Sequence, residues 1–230
     1  MWCVAELNAE YIAKMEDVLA LYERPYSSRE PVVCLDEKPV SLHGEVRPAR
    51  PARPGHLAKR DNEYRRCGTA NIFGVVEPKG GRHFTTATPD RSTQQFALMV
   101  RRVVGAYPRA RVIHLVMDNL NIHCQKSLTD TFGPGEGRRL WRRLRVHFTP
   151  KHGNWLNQAE LELSLVSRGC LGRRRIDTLQ HLRTELYAWT DRANHARTRI
   201  QWRFTRKDAR RKLAINETLY SVKDRDDQPL

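Results

Sequence analysis

Apolar positions along the chain fall into two regimes: consecutive runs, and stripes that recur every three or four residues. Tyr11, Met15, Val18, Leu19 and Tyr22 form such a stripe behind Asn8, a good N-cap, and predict a helix over about 9–23. Pro25 and the polar 27–30 stretch end it. An apolar run from Pro31 to Leu35 then reads as a strand ending on Asp36, with a second strand near 40–46. Residues 69–76 and 83–87 read as strands joined by Pro78-Lys79-Gly80-Gly81, a good hairpin turn. Phe96, Val100, Val103, Val104 and Tyr107 mark a second amphipathic helix, and the apolar run 112–117 is a strand that ends on Asp118. Helical patterns follow at about 124–132 and 136–144, split by Gly133-Pro134-Gly135. A short strand is expected at 146–149, then helices at 155–170 and 178–196, and a polar, disordered tail from Lys223.

A strand meander followed by helix, strand, helices, strand and helix predicts an α/β fold, a mixed sheet with helices on both faces. Residues 1–30 form a helix leading into the core, 31–205 the core itself, and 206–230 a partly disordered extension. At 230 residues the chain suits one well-cored domain with arms, at roughly 150 residues per domain. One arm stands out at 47–66, where Pro alternates with Arg and prevents helix. An extended backbone with its cations held apart is the expectation.

Composition narrows the class of partner. Lys and Arg number 41 against 26 Asp and Glu, a net charge of +15 with a pI near 10.1, and Arg dominates. Guanidinium forks bind phosphate bidentately, so a polyanion partner such as double-stranded DNA is expected. Arg47, Arg50, Arg53, Lys59, Arg60, Arg138, Arg142 and Lys151 are the candidate phosphate contacts, with a solvated loop or helix face as the plain alternative. No apolar run approaches the ~20 residues of a membrane span, and no leader pattern opens the chain, so a cytoplasmic, nucleoid-associated protein is expected. Five scattered cysteines without a CxxC pair support neither a disulfide framework nor a zinc ribbon.

Candidate chemistry gathers at the strand ends. Asp36 and Asp118 leave the ends of two apolar strands, and Glu160 opens a helix after Pro150-Lys151-His152-Gly153-Asn154-Trp155. Carboxylates so placed suit a hard divalent cation better than a core. Mg²⁺ takes one or two protein carboxylates per ion and keeps waters, so three carboxylates hold two ions and leave positions for phosphate oxygens. Asp36 is the expected bridge. Glu162 competes with Glu160, and helix spacing alone does not separate them. Asn119, His123 and His152 are supporting candidates that could orient a water or touch a phosphate; an ordinary polar loop accounts for them as well.

The blocks Val33-Cys34-Leu35-Asp36-Glu37-Lys38-Pro39, Asp118-Asn119-Leu120-Asn121-Ile122-His123 and Pro150 through Glu160 resemble the three catalytic blocks of bacterial insertion-sequence transposases of the mariner-like superfamily, which are DDE superfamily endonucleases. The resemblance implies a ribonuclease-H-like catalytic domain, two Mg²⁺ (or Mn²⁺) ions on Asp36, Asp118 and Glu160, and cut-and-paste DNA transposition. It also implies a homodimer when engaged on DNA, with the Pro/Arg arm where relatives clamp a partner subunit. Two departures accompany it. The 41 residues between Asp118 and Glu160 exceed the usual spacing, with 133–145 as the extra piece. Helix-turn-helix modules normally precede this domain, whereas the first catalytic block here lies close to Met1, so DNA binding with little sequence choice is expected. A catalytically idle or domesticated DNA-binding protein is the alternative.

Overall fold

The computed structural model describes residues 7–215, and its centre is a five-stranded mixed sheet in the order β3-β2-β1-β4-β5. The strands are β1 (Val32–Glu45), β2 (Tyr64–Glu77), β3 (Arg82–Thr88), β4 (Ile113–Met117) and β5 (Leu144–Phe148). The β1–β2 and β2–β3 pairs are antiparallel. The β1–β4 and β4–β5 pairs are parallel, as crossover connections through helices require. The first strand and the strand that ends on Asp118 are therefore neighbours: Val32, Val33 and Cys34 pair with His114, Leu115 and Val116.

Strand alternation sorts β1 between two cores. Val33 and Leu35 join Phe73 and Val75 under α2 (Thr93–Ala106), α3 (Gln125–Phe132) and α4 (Pro134–Trp141). Phe96, Val100, Val103 and Val104 of α2 are all buried there, as their spacing predicts. Cys34 and Val76 face the opposite side, against Met15, Val18, Leu19 and Tyr22 of α1 (Ala9–Glu23). On that side α5 (Ala159–Leu165) and α6 (Leu179–Ala196) cover the rest of the sheet, and α7 (Arg206–Lys212) closes on α1 through Ala209. Gly74 is what lets α5 approach: a Cβ built there would sit 2.7 Å from Leu163 Cδ2.

Three expectations change. The two strands predicted around Asp36 are one 14-residue strand that runs through it. Among the described residues no strand flanks β1 on the β4 side beyond Cys34, so Pro39 is tolerated despite its missing N–H. The arm is shorter than 47–66, because Tyr64, Arg65 and Arg66 belong to β2, and it is not fully extended. Arg50 bridges Lys59, and Arg53 bridges His56, in a small turn closed by backbone hydrogen bonds. The helix expected over 155–170 is broken into a 3₁₀ turn (Asn154–Leu156), α5, and a π-helical segment (Val166–Leu171). The tail from Lys223 lies outside the described residues. No helix among the described residues is long and apolar enough to cross a membrane.

Candidate active site

Parallel pairing carries β4 up to the level of Asp36, so Asp118, one residue past the strand, emerges beside it. Asp36 points to the α5 side of the sheet, the same side as Cys34. Burial pushes its carboxyl up to about 7, and the charges of Glu37, Glu160 and Asp118 add to the rise against the Glu37 amide, which donates to Oδ1 at 2.8 Å. Glu160, in the first turn of α5, is raised by burial and by Asp118. Three carboxylates from three elements thus sense one another across one site, which is the electrostatic condition a divalent cation relieves.

Asn157 sets the start of α5 relative to β1. Its buried Nδ2 donates to the Leu35 carbonyl at 2.8 Å, and its Oδ1 accepts from the Ala159 amide at 3.2 Å. One side chain therefore ties the residue before Asp36 to the residue before Glu160. The sequence reading passed over it, although an Asn two residues ahead of a helix is a recognisable turn signal.

The structure separates Glu160 from Glu162. Glu162 is 1% exposed and turned into the protein, where Oε2 lies 3.0 Å from His83 Nδ1 and Oε1 accepts from Trp189 Nε1 at 3.2 Å. His83 Nε2 donates to the Thr198 carbonyl at 2.8 Å. Burial works against a charge on His83, but the Glu162 contact outweighs it and raises the imidazole. Glu162 is committed to holding β3 against α6, while Glu160 stays beside Asp118.

Beneath the carboxylates lies a second arrangement that the spacing did not reveal. Glu37 follows Asp36 and so faces the α2 side, where His123 is buried and packed 4.7 Å from the Phe96 ring. His123 Nε2 lies 2.9 Å from Glu37 Oε1, and its Nδ1 donates to the Asp118 carbonyl at 2.9 Å with Asp118 Oδ1 at 2.8 Å. Burial opposes its charge, yet the Asp118 and Glu37 contacts outweigh that and raise the imidazole to about 10. Among the described residues, Glu37, Asp118 and His123 form the tight group of possible metal donors, with ligand atoms within 4.8 Å of one another. Asp36 and Glu160 are not in it. Because both His123 nitrogens face oxygen acceptors, the ring acts as a cationic tie between Glu37 and Asp118 rather than as a ligand. Asp118 Oδ1 is close to the ring but has no aligned hydrogen bond, since the N–H is aimed at the carbonyl. Oδ1 is thereby held by charge, 2.8 Å from the ring, and the carboxylate oxygens of Asp36, Asp118 and Glu160 are hard donors of the kind that fits Mg²⁺ or Mn²⁺.

Asn119, Lys151 and His152 line a cleft of about 740 Å³ that opens on Asp118. His152 holds a left-handed backbone, with φ of 62°, in the turn before α5. The other cations scatter. Arg47 lies 3.6 Å from Asp61, and Arg60 pairs with Glu45 at 3.1 Å, so both help fold the arm. Arg50, Arg53 and Lys59 are exposed along the arm, and Arg138 and Arg142 are exposed at α4, away from the residues lining the cleft. Their neighbour Arg143 is spent on the Tyr107 and Ala110 carbonyls.

The architecture is similar to solved structures of the Mos1 mariner transposase. The chain superposes on the Mos1 strand transfer complex with a TM-score of 0.54 at 18% identity, covering 86% of this chain and 61% of that one. The Mos1 paired-end complex with Mn gives 0.53 at 18%, covering 86% and 62%. The isolated Mos1 catalytic domain gives 0.52 at 16% identity, covering 86% of this chain and 93% of the domain. The chain therefore spans less than two thirds of the full transposase chains, and nearly all of their catalytic domain. At these identities the likeness establishes the fold, which is ribonuclease-H-like. No curated protein sequence matches the chain. The family model for DDE superfamily endonuclease matches residues 31–183, from the first residue before β1 into α6, and the chain belongs to that family.

Proposed function

We propose that the chain is the catalytic part of a cut-and-paste transposase: a metal-dependent DNA endonuclease and strand transferase that works as a homodimer on duplex DNA. What supports this reading is that Asp36 stands level with Asp118 across the β1–β4 pair, and that Asp36 and Glu160 are both raised by burial and by neighbouring carboxylate charge. In this reading the three carboxylates hold two Mg²⁺ or Mn²⁺ ions, which when bound make a water or 3′ hydroxyl nucleophilic and neutralise the phosphate at attack and departure. The chain supplies the positioning. His123 clamps Asp118 and Glu37 from below, Asn157 fixes α5, and Lys151 and His152 border the space where phosphate would lie. The membership in an endonuclease family and the likeness to a transposase catalytic domain support the same reading.

Nicking of supercoiled plasmid with Mg²⁺ tests it. Asp36→Asn, Asp118→Asn and Glu160→Gln should each lose ~100-fold or more in rate, since several kcal/mol of stabilisation are at stake and 1.36 kcal/mol is tenfold. A parent protein that binds plasmid but leaves it uncut, with Mg²⁺ or Mn²⁺, would instead identify a DNA-binding derivative without catalysis.

A further inference from the structure

A large cavity lies away from the carboxylates. It is a groove of about 1240 Å³ along the free edge of β3, walled by α6 on one side and the end of α2 on the other. Five arginines line it: Arg82, Arg102, Arg183, Arg197 and Arg199. None forms an ion pair with a carboxylate among the described residues, whereas Arg24, Arg60, Arg174, Arg206 and Arg210 elsewhere each do. The groove's acidic member, Asp191, lies 3.4 Å from His195 Nδ1. Two of the arginines are held in place by rings: Arg82 sits 4.5 Å over Tyr107 and donates to the Ala106 carbonyl at 2.9 Å, and Arg102 sits 5.9 Å over Phe84.

The floor carries donors with nothing to bind. Thr85 is 4% exposed and Thr190 is 8% exposed, and the hydroxyl of each has no hydrogen-bond partner. Buried hydroxyls are usually paired, and leaving one unpaired costs roughly 1–3 kcal/mol. The strand edge adds to this. Asn194 takes the outward amide and carbonyl of His83, and Arg183 takes the carbonyl of Ala87. Alternation then points the amide and carbonyl of Thr85, between those two, out of the sheet into the groove.

We infer that this groove binds the phosphodiester backbone of a second stretch of DNA, separate from the one at the carboxylates. Its lining is rich in guanidinium, hydroxyl and amide donors, which matches phosphate oxygens. Asp36, Gly74 and Thr85 lie in one row across three strands, so the groove begins about 10 Å from the carboxylates, two strand spacings of roughly 4.8 Å. Leu163, seated on Gly74, and the Glu162–His83 pair stand between them. The inference rests on the reading of the chain as a DNA-handling enzyme, and its test is independent of nicking.

The test is fluorescence anisotropy of the full chain on a labelled 30-bp duplex over a salt series. Arg102→Gln with Arg199→Gln should weaken binding tenfold or more. It should flatten the log K against log salt slope by about 1.8, at 0.9 per lost phosphate contact. Thr190→Val should also weaken binding, by several-fold, while its thermal midpoint stays at or above the parent's, so that misfolding is not the cause. Unchanged affinity and slope in both variants would overturn the groove while leaving the endonuclease proposal intact. A parent that fails to nick, with the slope change present, would refute the enzyme and keep the groove. Loss of self-association on size exclusion with DNA binding unchanged would assign the groove to an acidic face of a second copy, and would overturn the inference.

Discussion

At the scale of single residues, the two glutamates of α5 carry opposite expectations. Glu160→Gln keeps the fold, because that side chain is partly exposed and bonds no core group, and should abolish nicking. Glu162→Gln leaves His83 without its buried counter-charge and should lower stability by about 3 kcal/mol, the range seen when one partner of a buried pair is removed. Urea denaturation and plasmid nicking on the two variants separate the roles, and a Glu160→Gln protein that nicks normally would reassign the site. His123 combines both effects. His123→Ala leaves Glu37 and Asp118 facing each other without the cation between them, and is expected to reduce nicking and the urea midpoint together. Sequence reasoning reached His123 only as a supporting residue. It missed Glu37 because the pair forms across 86 positions, and nothing local indicates which imidazole meets a strand residue turned away from the carboxylates.

At the scale of elements, the placement of α5 on the sheet sets the geometry of the candidate site. Gly74→Ala puts a methyl group against Leu163 and should cost about 1–3 kcal/mol as an overpacked core. Pairing it with Leu163→Ala should recover part of that loss in a double-mutant cycle of thermal midpoints; simple additivity would mean that the contact does not set the helix position. Asn157→Ala loses the bonds to Leu35 and Ala159 and should cost about 1–2 kcal/mol, while nicking falls further than stability does. The apolar patterns located every strand, but they could not show that two runs around Asp36 are one strand. Period-two alternation persists through a polar stretch once β2 pairs alongside it, and that pairing is a tertiary event. The break of the long helix at Asn157 was hidden for a similar reason. The side chain leaves the helix pattern to bond a strand that lies 122 positions upstream.

At the scale of the whole molecule, a buried chain of rings joins α1 to the outer strands. Arg24 donates to His114 Nε2 at 3.1 Å, His114 Nδ1 donates to His147 Nε2 at 3.0 Å, and His147 Nδ1 donates to Asp17 at 2.6 Å. Burial, with the nearby positive charges of Arg24 and Arg145, holds His114 down to about 4. Its ordinary value is 6.5, so the unfolded chain takes up the proton first as pH falls. The stabilisation is therefore complete above about pH 6.5 and is lost progressively towards pH 4. The raised Asp36 carboxyl works in the opposite sense over much of that window, so the test is a difference: the parent's urea midpoint should fall relative to that of His114→Gln, and equal slopes in both proteins would place the effect elsewhere. Divalent cation acts on the whole fold as well. Mg²⁺ should raise the thermal midpoint of the parent, as any ligand of the native state does, and have little effect on Asp36→Asn or Asp118→Asn.

The amino-acid sequence by itself determined the fold class and the identity of three carboxylates worth testing. Apolar periodicity and short motifs are local, and they survive any arrangement of the remaining chain. Only the tertiary structure decided that Glu37 and His123 sit beneath those carboxylates, that Glu162 belongs to the core while Glu160 does not, and that five arginines line one open strand edge. Each of these depends on the rotation of a helix or the exposure of an edge, which is set by what packs against it rather than by its own pattern.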